Sequence, residues 1–467
     1  MDHAAHVVDI ASLAERLRAE LAAADAAAGQ LVRGCPIVIA EVGELTRSID
    51  PDEYIPHHVS IGPYHRTKSP HLAMDGEKVQ CLGAVLSSAI AGTTLEVYLE
   101  ELTSLEGRAR SCYAHSFEHM DGAEFVRMLL LDACYVLVKV GGVLEAAAAR
   151  RGNGGEAPPA SGGGGHMMAG VAVVRDVLYL AENQIPFFAV DKVYNLTVPD
   201  SGDSAADAIA AYVRELLRDQ QYSVATPAVA GPDEIGNLLH LLHMHFTPTS
   251  PSPSLATGSE ATGGGKGRRV GRWRTATEYH SAGVRFRARP LVGKSARSIL
   301  DVKLIGGGGT LEIPRLNIDA ETWRLLRNLV ALEQSNPGAA GGSHHVTAYC
   351  VFVSQLACTP WDVELLSRRG VISHGLGSHA EVAELFAGLC KGVAFRADDP
   401  RSNYLHATWR TLEGRFQCRP RRWAAWLMLR YFSNPWLAVG LVAAAVGLVC
   451  TVVQAVYSVL SYTSGGS

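Results

Sequence analysis

The run Leu437–Val456, LAVGLVAAAVGLVCTVVQAV, carries no charged side chain. It matches the ~20 residues that a helix needs to cross a bilayer's hydrocarbon core. An uninterrupted apolar helix also pairs its backbone groups internally, as lipid demands. Trp436 and Tyr457 bracket the run as interfacial aromatic anchors would. The sequence therefore predicts a transmembrane helix over 436–458 and a short tail over 459–467. The competing reading is a buried C-terminal core helix, but a core helix of this length usually shows a polar stripe, and this run lacks one.

The flanks set the expected orientation. Arg415, Arg419, Arg421, Arg422 and Arg430 precede the run, and the tail SYTSGGS has no charged side chain. The positive-inside rule then puts the main domain in the cytosol. The N-terminus, MDHAAHVVDIASLAERL, has neither the basic nor the apolar region of a secretory signal. Together these features read as a single-pass, tail-anchored protein, with the plasma membrane one candidate location. The sequon Asn195-Leu-Thr197 would carry a glycan only if the domain faced the lumen or exterior.

A net charge of −4 argues against a nucleic-acid binder that works by phosphate neutralisation. The nine cysteines, from Cys35 to Cys450, are scattered and form no C-x-x-C pair. That pattern favours free thiols in a reducing compartment over a disulfide framework or a zinc site.

Along the chain, Ile10, Leu13, Leu17 and Leu21 recur at helical spacing, giving an amphipathic N-terminal helix over 1–32. A large unit over 33–435 follows. It is interrupted by Gly-rich insertions near 146–170 and 247–271, whose composition cannot build a core alone. Helices are expected over 74–91, 95–106, 123–140, 171–180, 205–221, 234–246, 322–334, 346–357 and 380–393. Asp362 is expected to cap a further short helix. Ser298–Ile305 and Thr310–Ile313, separated by Gly306–Gly309, suggest a β-hairpin. The fold class is mainly α, with a small β element and then one membrane helix.

Four places could carry chemistry. In YIPHHVSIGPYHR, His57, His58 and His65 sit on a segment stiffened by Pro56 and Pro63. A structural loop is the better reading there, because no further metal ligands stand nearby. Asp132 is the odd charge inside the apolar helix at 123–140, and a buried carboxylate needs a partner. Glu182, Asn183 and Gln184 fall at the helix break that Pro186 enforces, where polar side chains can satisfy freed backbone groups. His240 and His243 share a helix face, with His245 close by, but no acidic or cysteine partner set accompanies them. Gly293-Lys294-Ser295 resembles the end of a phosphate-binding loop, but Ala288 stands where its first glycine belongs, so that motif is rejected.

Several segments, taken in order, resemble the plant domain-of-unknown-function 247 proteins, which are UPF0481-like membrane proteins. These segments are VSIGPYH (Val59–His65) with Met74 and Lys78, RMLLLDACYVL (Arg127–Leu137), RDVLYLAENQIPFF (Arg175–Phe188), NLLHLLH (Asn237–His243), TATEYHSAGVRFR (Thr275–Arg287), LEIPRLNID (Leu311–Asp319), LLRNLVALEQ (Leu325–Gln334) and YFSNPWLAVG (Tyr431–Gly440). The resemblance implies a membrane-associated plant protein with no established enzymatic activity and no agreed catalytic residues; no cofactor and no metal are expected. Some grass members are implicated in pollen self-incompatibility, which implies recognition of a protein or small peptide.

The expected function is thus a non-enzymatic recognition or scaffold protein, with the bilayer engaged through Leu437–Val456, a protein or peptide partner, and no nucleic acid. The alternative is a hydrolase or transferase using His57, His58, Asp132 or Glu182. It requires those groups to converge in one concave pocket.

Overall fold

The computed structural model describes residues 36–144 (save 67 and 69), 173–199, 204–227, 231–249, 272–337 (save 294 and 308), 344–400, 402–418 and 435–464, with residues 15, 18, 147 and 170 standing apart. The expected N-terminal helix and nearly all of the two Gly-rich insertions lie outside the described residues, as do Arg419, Arg421, Arg422 and Arg430.

The N-terminal half is a helical layer arranged around one apolar helix. Helices α1 (Asp75–Ser88), α2 (Leu95–Ser111) and α4 (Phe187–Thr197) all pack on α3 (Gly122–Lys139). α3 starts where the Asp121 side chain accepts the Glu124 N–H at 2.7 Å. It is apolar around most of its circumference, so it is buried from Phe125 to Leu137 on all but one position, the exposed Arg127. Asp132 lies within that buried span.

Between α3 and α4 the chain passes through a π-helical turn, Arg175–Tyr179. It then breaks at 181–185, and Pro186 occupies the N-cap of α4. The break follows from proline chemistry: Pro186 has no N–H and opens a helix rather than continuing one. Of the expected helix over 171–180, residues 173–179 are helical and Arg175–Tyr179 take the wider π form. Helices α5 (Ala205–Asp219), α6 (Leu238–His243) and α7 (Ala276–Ser281) follow. Ser204 and Thr275 each close a capping box with the acid three residues on, Asp207 and Glu278.

The β element has three strands in the order β1-β3-β2, where β1 is Arg285–Arg289, β2 is Lys303–Ile305 and β3 is Thr310–Pro314. β2 and β3 form the expected hairpin, with Leu304 opposite Leu311. β1 adds in parallel on the other side of β3, with Phe286 opposite Leu311. A second pair, β4 (Leu316–Ile318) with β5 (Ile372–His374), is also parallel.

The C-terminal helices α8 (Thr322–Ser335), α9 (His345–Leu356), α10 (Pro360–Arg368) and α11 (His379–Leu389) pack on one another, and α12 spans His406–Gln417. Thr359, not Asp362, caps α10; Asp362 supplies the N–H that Thr359 accepts. One continuous apolar core joins both halves, from Ile37 to Leu412. α8 also reaches back to the start of the described chain. The Asn336 amide pairs with both backbone groups of Val38, at 2.6 and 3.1 Å, and the Asn328 amide donates to Glu53 O at 2.8 Å.

The transmembrane helix expected over 436–458 is not upheld. Among the described residues, no helix is long and apolar enough to cross a membrane. The run 437–456 is helical, within α13 (Pro435–Ser464). The run mixes its larger apolar side chains with small residues, including Ala443, Ala444, Ala445 and Gly447, and with the polar Thr451 and Gln454.

Candidate functional site

The break at 181–185 brings the residues singled out in the sequence into one buried polar corner, built around the segment 57–62. That segment has neither helix nor strand to satisfy its backbone, so side chains from elsewhere do so. The buried Asp176 carboxylate accepts the N–H groups of His57 at 3.0 Å, His58 at 2.5 Å and Val59 at 3.0 Å. Asn183 accepts from Ile61 N at 2.7 Å and donates to Val59 O at 3.0 Å. Asp132 accepts from Gly62 N at 2.8 Å, and Lys78 donates to Ser60 O at 2.6 Å.

Lys78 and Asp132 are both fully buried and pair at 2.5 Å. A buried charge needs a partner, and here each ion meets the other as well as a backbone group of the same loop. Glu182 is likewise fully buried. It pairs with Arg47, lies 3.4 Å from His65 Nε2 and accepts the Val42 N–H at 2.5 Å. Gln184 works in two directions. Its amide donates to Val177 O and Leu180 O, both at 2.9 Å, and its carbonyl accepts the first N–H groups of α6, from Leu238 at 3.0 Å and Leu239 at 3.2 Å.

The turn at Gly62 locks the corner. Its φ is +72°, and a Cβ there would stand 2.3 Å from Gln184 O. Only glycine combines that left-handed backbone with so close an approach.

The three histidines of the first motif part company. His65 is buried beside Glu182, His58 is half-buried, and His57 is exposed. His57 is held below its ordinary value by partial burial, and then by the charges of Arg324 and Arg175. The Asp132 and Glu182 carboxylates face protein rather than an opening.

The second histidine group is also tied to structure. His240 is buried, its Nδ1 accepts the Gly236 N–H at 3.1 Å, and burial lowers its pKa to about 4. His243 Nε2 lies 2.8 Å from Glu333, an acid partner that the sequence did not reveal. Glu333 also receives the Val346 and Thr347 N–H groups at the start of α9. Burial pushes Glu333 up, but the bonds and charge of His243 and the bonds from Thr347 more than offset it, leaving its pKa below the ordinary 4.5. Among the described residues, no group of three or more His, Cys, Asp or Glu side chains could hold a metal ion.

Sequence reasoning missed the structural roles of Lys78, Asp176, Asn328 and Glu333. Asp176 carried a usable signal, since like Asp132 it is a lone acid within an apolar run. A separate cavity of about 490 Å3 went unnoticed altogether. It is lined by Arg218, Gln221, Val224, Leu291, Arg289 and Arg315, together with Ala288 and Pro290, and it shares no residue with the polar corner.

Comparison with known proteins matches this chain to plant sequences. Residues 39–450 match the family model described as a plant protein of unknown function, DUF247. A UPF0481 protein of Arabidopsis thaliana is 25% identical over 445 residues, covering 91% of this chain and 86% of the relative. A putative UPF0481 protein of the same plant is 22% identical over 433 residues, covering 73% of this chain and 76% of the relative. No solved structure matches the chain.

Proposed function

Because the chain belongs to the DUF247 family of plant proteins of unknown function, we propose that it is a non-enzymatic recognition or scaffold protein whose partner is a protein or peptide. The observation that carries this reading is how the polar corner spends its side chains. Asp132, Asp176, Glu182, Asn183 and Gln184 are all fully buried, and each bonds backbone or an opposite charge. A general acid or nucleophile must reach a reacting atom within hydrogen-bond distance, and these groups are turned inward. Asp132, Asp176 and Asn183 hold 57–62 in place, Glu182 holds Arg47 and Val42, and Gln184 ties the helix break to α6, which leaves recognition to the surface around them.

The test is the state of the full-length chain in plant tissue. Cross-linked in situ and purified, it is expected to carry a protein partner in fixed stoichiometry, measured by light scattering and mass spectrometry. The reading fails if the chain isolates alone and turns over ester, phosphate or glycoside substrates at a rate lost in a His57→Ala/His58→Ala variant of unchanged melting temperature.

A further inference from the structure

We propose that the cavity between α5, β1 and the β3–β4 junction binds the phosphate monoester of a small, partly apolar molecule. The cavity's volume falls within the ~300–1,000 Å3 typical of small-molecule sites. Three arginines line it, delivered by three separate elements: Arg218 from the end of α5, Arg289 from the end of β1 and Arg315 from between β3 and β4.

The charge there is at most partly cancelled. No acidic residue lines the cavity. Arg289 is fixed by neutral oxygens: its Nε donates to Ser295 Oγ at 3.2 Å, one terminal nitrogen donates to Asp301 O at 2.8 Å, and the other to Ser295 O. The Asp301 carboxylate itself is occupied by Thr249 and by the N–H groups of Arg297 and Ser298. Arg315 donates through Nε to Gly370 O at 3.2 Å, which holds its planar head in place. Among the described residues, neither Arg289 nor Arg315 makes an ion pair. Among the described residues, Arg218 pairs with Glu215 alone, on the exposed face of its own helix, where such contacts contribute little.

Arginines present forked donors that match phosphate oxygens two at a time. Three of them around one cavity suit a dianion better than a single carboxylate. The remaining wall, Val224, Ala288, Pro290 and Leu291, is apolar and fits the body that carries the phosphate. The inference goes beyond the recognition role by assigning a ligand class. Phosphate binding can fail while the partner complex survives, so the two readings are separable.

The probes are phenyl phosphate, benzoate and inorganic phosphate, titrated calorimetrically into the full-length chain at low salt. Saturable one-to-one binding of phenyl phosphate is expected, at least tenfold tighter than either benzoate or inorganic phosphate. It should weaken tenfold or more in Arg218→Gln/Arg315→Gln, with an unchanged melting temperature. Arg218→Gln alone, at an exposed position, should weaken it measurably and guards against a folding defect in the double variant. Absence of saturable binding in the wild type, equal affinity for benzoate, or undiminished affinity in both variants would overturn the assignment.

Discussion

At the scale of single residues, Gly62 is the position where backbone geometry and packing coincide. Its left-handed φ and the nearness of Gln184 O leave no room for a side chain. Gly62→Ala is therefore expected to destabilise the fold by on the order of 3 kcal/mol, read from the denaturant midpoint. His240 makes a different prediction. Its folded pKa, about 4, lies below the ~6.5 of an unfolded histidine, so on acidification the unfolded chain takes up the proton first. The stability linked to it is present in full above about pH 6.5 and is lost as pH falls toward 4, by up to about 3 kcal/mol. His345, also lowered to about 4 by burial, acts in the same direction. Melting temperature measured from pH 7 to 4.5 should fall less steeply in His240→Gln than in the wild type. A glutamine carbonyl still accepts the Gly236 N–H, but it does not titrate.

At the scale of elements, Gln184 joins the π-helical turn to α6 by bonding both. Gln184→Leu leaves Leu238 N and Leu239 N without acceptors in the interior. Each such orphan costs about 1–3 kcal/mol. Hydrogen exchange should accelerate first across 236–243, ahead of α3. This is also the scale at which the sequence was most and least informative. The β2–β3 hairpin was legible because two β-rich runs flank a short glycine turn, and the break before α4 was legible from Pro186 alone. β1 was not, because its parallel partner arrives only after a crossover, and three-residue strands such as β4 and β5 carry no periodicity. The polar corner was half legible. The residues Glu182–Gln184 and Asp132 stood out as charges or amides in apolar surroundings, but the partners of Asp132 and Asn183 in 57–62 lie 70 to 124 positions away. The apolar run at 437–456 is helical as its composition suggested, but its membrane-spanning role was not upheld.

At the scale of the whole molecule, one core encloses thiols from both halves. Cys81, Cys112, Cys134 and Cys350 are buried, whereas Cys450 on α13 is exposed. Burial pushes the Cys81 thiol up, and the Cys134 and Cys350 thiols further still, so these three resist becoming thiolates. In the native protein an alkylating reagent should modify Cys450 within minutes and the four buried thiols only on unfolding, as peptide mass mapping would show.

The clasp between Val38 and Asn336 has a consequence for how the protein is made. Its two sides are separated by 298 positions. A ribosome adding ~5–20 residues each second needs roughly 15–60 s to supply the second side after the first has emerged. Throughout that interval the strand-like segment at Val38 and the loop near Glu53 have none of their α8 partners. The nascent chain must therefore be shielded in the cell until α8 is synthesised, and the order of synthesis makes the N-terminal segment one of the last to settle.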